Sequence, residues 1–262
     1  MDIGTEGTLQ TSSGSTATLL IAMASALIAA GGASGPAMRT PVLVELFTSE
    51  GCSSCPPADQ LLEKLDRSQP VAGAEIIALS EHVDHWNHIG WADPYSSPLF
   101  SNRQAAYARR FQLEGSYTPQ MVVDGEAEFV GSDARRAESA ISAAAKLEKV
   151  PVHLSASMRS VRIEVGALPS SGRKADVYFA LAQESGTSDV LRGENQGHRL
   201  HHVAIARNFQ QVGSVSAKAS FAKDVPLEGN GDLRNTRMIV FVQEPGSGRV
   251  WGAAMVRAAR AQ

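Results

Sequence analysis

The chain has 262 residues, 43% of them hydrophobic and 19% charged, with a net charge of −3 and only two cysteines. This suits a globular protein long enough for two domains. It excludes a typical nucleic-acid binder, since there is neither a basic excess nor a cluster of Lys and Arg.

Residues 1–40 stand apart from the rest. Met1 to Thr16 is rich in Gly, Ser and Thr and reads as a disordered tail, and Leu19 to Ala30 is an apolar run of twelve. A bilayer span takes about 20 apolar residues, so no stable membrane span is expected; the run suits the hydrophobic region of a signal segment, with small residues Gly31 to Ala37 for cleavage. Asp2 and Glu6 stand where a basic region would precede it. The expectation is a periplasmic or secreted protein with its cysteines in an oxidising compartment. The alternative is a tail that carries an apolar patch.

Both cysteines fall in Val42 to Leu65, where an apolar run, a polar turn, Cys52-Ser53-Ser54-Cys55, Pro56-Pro57 and a pattern of Leu61, Leu62 and Leu65 read as strand, turn, CxxC and helix. Cysteines at this spacing can bond within one turn, and a helix N-terminus favours thiolate over thiol. Cys52 is expected to be the exposed, attacking sulfur and Cys55 the deeper, resolving one. Pro57 would clash if the helix began at Cys52, so regular helix is expected nearer Ser54, or with a kinked first turn. A half zinc site has no second pair of cysteines to complete it. An inert disulfide across so short a loop would add little stability.

The next elements alternate. Gly73 to Leu79 reads as a buried strand, Leu99 to Leu113 as a helix, and Met121 to Gly131 as a hairpin turning at Asp124-Gly125. A helix from Asp133 to about Lys149 follows, with Ser132 as its N-cap. Between the strand and helix lie His82, Asp84, His85 and His88, which with Cys52 and Cys55 are candidate ligands for copper or zinc. The other reading is that Trp86 and Trp91 pack this loop while the histidines hydrogen-bond it. Glu45 is a candidate buried proton acceptor for Cys55, and Glu50 adjoins the cysteines, where like charge would raise their pKa. Residues of this kind are more often plain structural or solvated carboxylates.

From Pro151 the pattern changes to period two, in Val152 to Met158, Val161 to Val165, Asp176 to Ala182, His202 to Ala206, Met238 to Val242 and Val250 to Val256. That predicts an antiparallel β-sandwich over residues 151–262 after an α/β domain over 41–150. Gly193 to His198, with His201 and His202, reads as a polar hairpin loop able to line a groove.

The order βαβ, α, β, β, α, with CxxC after the first strand and Thr118-Pro119 before the hairpin, resembles a thioredoxin-like fold, and YTPQMVVDG is similar to the matching stretch of glutaredoxins. More closely, VELFTSEGCSSCPPAD, HVDHWNHIGW, DPYSSPLFSNRQAAYARRF and YTPQMVVDG with FVGSD resemble the DUF1223 family of secreted thioredoxin-like proteins, whose function is uncharacterised. The resemblance implies a cis Pro119 against the CxxC, leaving the Thr118 backbone free to pair with a substrate. The expected activity is thiol–disulfide exchange with a thiol- or disulfide-bearing protein or a small thiol, through Cys52, Cys55, Thr118 and Pro119, with no cofactor required. Two rivals stay open: a copper-binding protein using the CxxC with His82 or His85, and a non-catalytic interaction module.

Overall fold

A strand buried on both faces reads as a continuous apolar run, and Thr40–Thr48 (β1) is one. The computed structural model describes Met1 and residues 39–157, 159–172, 174–227 and 235–258, so the apolar run 19–30 lies outside the described residues. The described residues from 39 to 258 belong to one compact unit. On β1 the even-numbered Val42, Val44 and Leu46 join Leu61, Leu62 and Leu65 of a helix, Pro56–Ser68 (α1). The odd-numbered Leu43 and Phe47 face the other way, toward Phe100 and Tyr107 of a second helix, Pro98–Arg110 (α2). Period two in the strand thus fixes which chemistry reaches which helix.

The helix starts follow from their caps. Pro56 and Pro57 occupy the first two positions of α1 with Cys55 as N-cap, where a missing N–H costs nothing. Ser97 caps α2 by accepting from the Leu99 amide. A third helix, Ala134–Ala144 (α3), is capped by Asp133, which accepts from the Arg136 amide, rather than by the expected Ser132.

Ala74–His82 (β2) runs parallel to β1, and Gln120–Val123 (β3) runs antiparallel to β1 on its other side. Ala127–Val130 (β4) completes the hairpin, with Asp124 and Gly125 both at positive φ as its tight turn requires.

The second half supplies Val152–Ala156 (β5), Ser160–Val165 (β6), Lys174–Asp189 (β7), Arg199–Ser216 (β8), Phe221–Pro226 (β9), Thr236–Gln243 (β10) and Val250–Arg257 (β11). These strands pair antiparallel with one another, but they do not close a sandwich of their own. Among the described residues β11, β10, β7 and β8 continue into β2, β1, β3 and β4 as one eight-stranded mixed sheet, and β5, β6 and β9 form a separate three-stranded one. The junction is the pairing of Ser80 with Ile205, where β8 runs parallel to β2 and covers an edge that would otherwise be open. The small sheet packs face to face on the second half of the large one, Val161, Ile163 and Val225 against Val177, Phe179 and Val240. A two-layer arrangement is therefore present, but one of its layers is shared with the α/β half.

A buried polar cluster joins the halves on the α2 face. Arg103 donates from Nε to Glu45 at 2.6 Å, Tyr107 donates to the same carboxylate at 2.5 Å, and Gln243 of β10 bonds both Arg103 and Tyr107. Glu81 lies 3.4 Å from Arg103 Nε and makes no hydrogen bond; burial, and then the neighbouring Glu45, push its pKa well above the usual range. Arg103→Ala leaves the Glu45 charge buried without its partner and should cost about 3–5 kcal/mol in urea denaturation at pH 7. Glu81→Gln, an isostere of the protonated acid, should leave the denaturation midpoint in place.

Candidate functional site

The turn after β1 carries the cysteines. Cys52 N donates to Ser49 O at 3.2 Å and Cys55 N to Cys52 O at 3.2 Å, which winds the turn tightly enough to bring the sulfurs together. Cys52 and Cys55 are joined as a disulfide with Cα atoms 5.5 Å apart. Cys55 caps α1, and Cys52 stays on the loop before it, as the two prolines require. The expectation of an exposed Cys52 is not met: Cys52 is 1% exposed and Cys55 0%, while Ser53 and Ser54 between them are exposed.

Two neighbouring segments close over the turn. The Thr118-Pro119 bond is cis, as the resemblance implies, and Pro119 is buried at the start of β3. Ser54 Oγ donates to Thr118 O at 3.5 Å, and Trp86 Nε1 donates to Thr118 Oγ1 at 2.8 Å. Gly131 leaves room for this contact, since a Cβ there would lie 2.7 Å from Leu46 Cδ1 and 3.2 Å from Pro119 Cβ.

The second segment is the tip of the β7–β8 hairpin, residues 190–198, of which the sequence marked 193–198 as a polar hairpin loop able to line a groove. Asn195 is 5% exposed and donates its side-chain amide to Glu50 O at 2.8 Å and Cys52 O at 3.0 Å. Glu194 accepts from the Ser53 amide at 3.1 Å. The tip keeps its shape through Gly193 and Gly197, both at positive φ, and through Gly197 N donating to Val190 O.

Behind the turn, on the α1 face, lies a second buried polar cluster. His202 of β8 sits between two carboxylates: Glu50 Oε1 is 3.3 Å from Nε2 and Asp59 Oδ1 is 3.6 Å from Nδ1. These are ion-pair distances without hydrogen-bond geometry, and all four atoms lack a hydrogen-bond partner. Burial alone would lower the His202 pKa, but Asp59 and Glu50 together outweigh it and push it up to about 10. His82 of β2 stands perpendicular to His202 with ring centroids 4.6 Å apart, and its Nδ1 is 2.7 Å from Asp93. Burial would raise the Asp93 pKa, but His82 and the amides of Glu50 and Tyr95 hold it below the usual range. Trp91 closes the cluster by donating to Glu50 Oε2 at 2.8 Å.

The metal candidates are not brought together. Cys52 and Cys55 are bonded to each other, His82 is turned into the cluster with Asp93, Asp84 accepts from Ser101, and His85 and His88 are exposed. Among the described residues no three His, Cys, Asp or Glu side chains are arranged to hold a metal ion. Glu45 is also misplaced for its expected role: as an odd-numbered residue of β1 it faces α2 and Arg103, away from Cys55. Asp59 and His202 form the buried acid–base pair behind the CxxC turn. Asp59 was legible as an acid one helical turn after Cys55, on the face that carries Ala58 and Leu62.

His202 titrates near 10 in the folded chain against 6.5 when free. Its contribution is therefore fully present below pH 6.5 and lost as pH rises through about 10. Urea denaturation of the disulfide form should show stability falling across that window, and His202→Gln should flatten the fall. A variant with the wild-type slope would contradict this assignment.

Residues 43–243 match the family model described as "Protein of unknown function (DUF1223)". The crystal structure of protein AGR_C_4864 from Agrobacterium tumefaciens is similar, with 28% identity over 86% of this chain and 97% of that one and a TM-score of 0.73. HBP35 of Porphyromonas gingivalis is 15% identical over 86% of this chain and 77% of that one, with a TM-score of 0.58, a likeness of fold alone. No curated protein matches the chain. No helix among the described residues is long and apolar enough to cross a membrane. The motifs of the CxxC turn, the histidine loop and the Thr118-Pro119 hairpin all lie inside the matched span, and the chain belongs to the DUF1223 family.

Proposed function

We propose that this chain is a thiol–disulfide exchange protein on a thioredoxin-like scaffold, exported to an oxidising compartment, with Cys52–Cys55 as its working disulfide. The observation that carries the reading is the disulfide itself, set at the N-cap of α1, with the cis Thr118-Pro119 segment tied to its turn by Ser54 Oγ donating to Thr118 O. The strand order supports it too, with β1 and β2 parallel, β3 and β4 antiparallel, and helices on both faces of the sheet.

In the exchange, one thiolate of a partner dithiol attacks Cys52 Sγ. The Cys52–Cys55 bond breaks, and Cys55 leaves with the electron pair as a thiolate. The partner's second thiolate then attacks the mixed disulfide, so the partner is oxidised and the Cys52–Cys55 pair is reduced. No diffusible cofactor takes part. With Cys52 1% and Cys55 0% exposed, the partner reaches Cys52 only when the turn opens, and Asn195, bonded to Cys52 O, is one of its fastenings.

A second reading is favoured by that same burial: a module in which the disulfide is an inert staple. Equilibration of metal-free protein against glutathione mixtures, with thiols trapped by a mass tag, separates the two. A reduction potential of about −120 to −270 mV supports exchange, whereas a value below about −300 mV, or no exchange at all, supports the staple.

Asn195→Ala removes two hydrogen bonds worth about 0.5–1.5 kcal/mol each, so reduction by dithiothreitol should become about tenfold faster. An unchanged rate would remove Asn195 from the cover.

A further inference from the structure

The exchange step leaves a charge where the structure holds no solvent-exposed atom to receive it. Cys55 is 0% exposed and caps α1, and the Asp59 amide donates to Cys55 O at 3.1 Å, which puts Asp59 one helical turn further on the same face. Asp59 itself is 6% exposed. A thiolate released at Cys55 therefore forms one helical turn before a buried carboxyl group, and Glu50 stands two residues before Cys52 on the other side of the turn.

The group that answers both acids comes from the second half of the chain. His202 is 2% exposed, and each of its ring nitrogens faces one acid and nothing else of opposite polarity. A neutral imidazole would turn a lone pair toward one of the two carboxylates; an imidazolium offers a proton to both. The remaining oxygens of the acids are already taken, Asp59 Oδ2 by Thr48 Oγ1 at 3.2 Å and Glu50 Oε2 by Trp91. The other titratable groups around His202 do not compete for it. His82 stands perpendicular to it and is committed through Nδ1 to Asp93, Tyr95 meets it edge to face at 5.8 Å, and the adjacent His201 points outward to Glu63.

We infer that His202 is a positioning residue for the CxxC pair: it holds Glu50 and Asp59 as a compensated cluster, so that a thiolate at Cys55 is tolerated and the disulfide is kept reducible. This rests on the exchange reading above. It makes the redox site composite, with the sulfurs on the α/β half and the balancing charge on β8. The elevated His202 pKa described above is consistent with this geometry.

The test is a pair of opposed variants. His202→Gln leaves two acids uncompensated beside Cys55, which disfavours the thiolate and should shift the equilibrium with glutathione toward the disulfide by about tenfold, a potential about 30 mV more negative. Asp59→Asn removes one of those acids and should shift the equilibrium the opposite way, and the double variant should return toward the wild type. Glu50→Gln replaces Asp59→Asn if that variant does not fold. A merely structural role would lower thermal stability in every variant without moving the potential in opposite directions. Potentials that stay at the wild-type value, or move the same way in both variants, overturn the inference while leaving the exchange reading intact. If the wild type does not exchange with glutathione, the exchange reading fails on its own. The inference is then decided on phosphine-reduced protein, where the thiolate absorbance must titrate at higher pH in His202→Gln than in the wild type.

Discussion

Two buried acids flank the CxxC turn, and much of the architecture is the means of keeping them there. Taking a carboxylate out of water is costly, and only a partner of opposite charge in good geometry offsets that cost. Neither Glu50 nor Asp59 finds such a partner on its own half of the chain: Thr48 and Trp91 supply hydrogen bonds but no charge. The compensating residue is His202, and to reach it β8 must lie beside β2 in the same sheet. The strand order of the eight-stranded sheet is what puts His202 there.

The opposite face of the sheet repeats the arrangement with other residues. The Arg103 guanidinium holds Glu45, the unbonded Glu81 lies 3.4 Å from it, and Gln243 arrives from β10 to complete the set. Parity decides the assignment: neighbouring positions of one strand, Glu81 and His82, serve clusters on opposite faces. A third link, Arg237 of β10, bridges Asp66 at the end of α1 to Glu184 of β7 and is itself 1% exposed. The two halves are thus locked by charge as well as by apolar packing. Buried polar contacts of this kind tolerate little displacement, because a half-satisfied network is worse than none.

The α/β half was readable in the sequence almost element by element, because its signals are local. The CxxC after an apolar strand, the paired prolines opening α1 and the Asp-Gly hairpin turn each act within a few residues. What the sequence could not carry was any contact whose partners lie far apart along the chain. Glu45 looked like a companion for Cys55 by sequence distance, yet one step of strand alternation sends it to Arg103. Asn195 sits in a stretch whose composition says only turn, and its meaning lies in two carbonyls on the far half. The sandwich expected for 151–262 was correct in strand type and in its facing layers. It failed on the edge of β2, because no local pattern states that a strand edge is waiting for β8.

The hairpin tip has a consequence for the order in which the site is assembled. Asn195 lies 143 residues beyond Cys52, and a ribosome adds roughly 5–20 residues per second. For roughly 7–30 s of synthesis at that rate, the cysteine turn exists without its lid. In that interval the Cys52 carbonyl lacks its Asn195 donor, which arrives only when the tip of the β7–β8 hairpin docks. The cover of the cysteine turn is thus a late addition, made by a segment the chain acquires long after the turn itself.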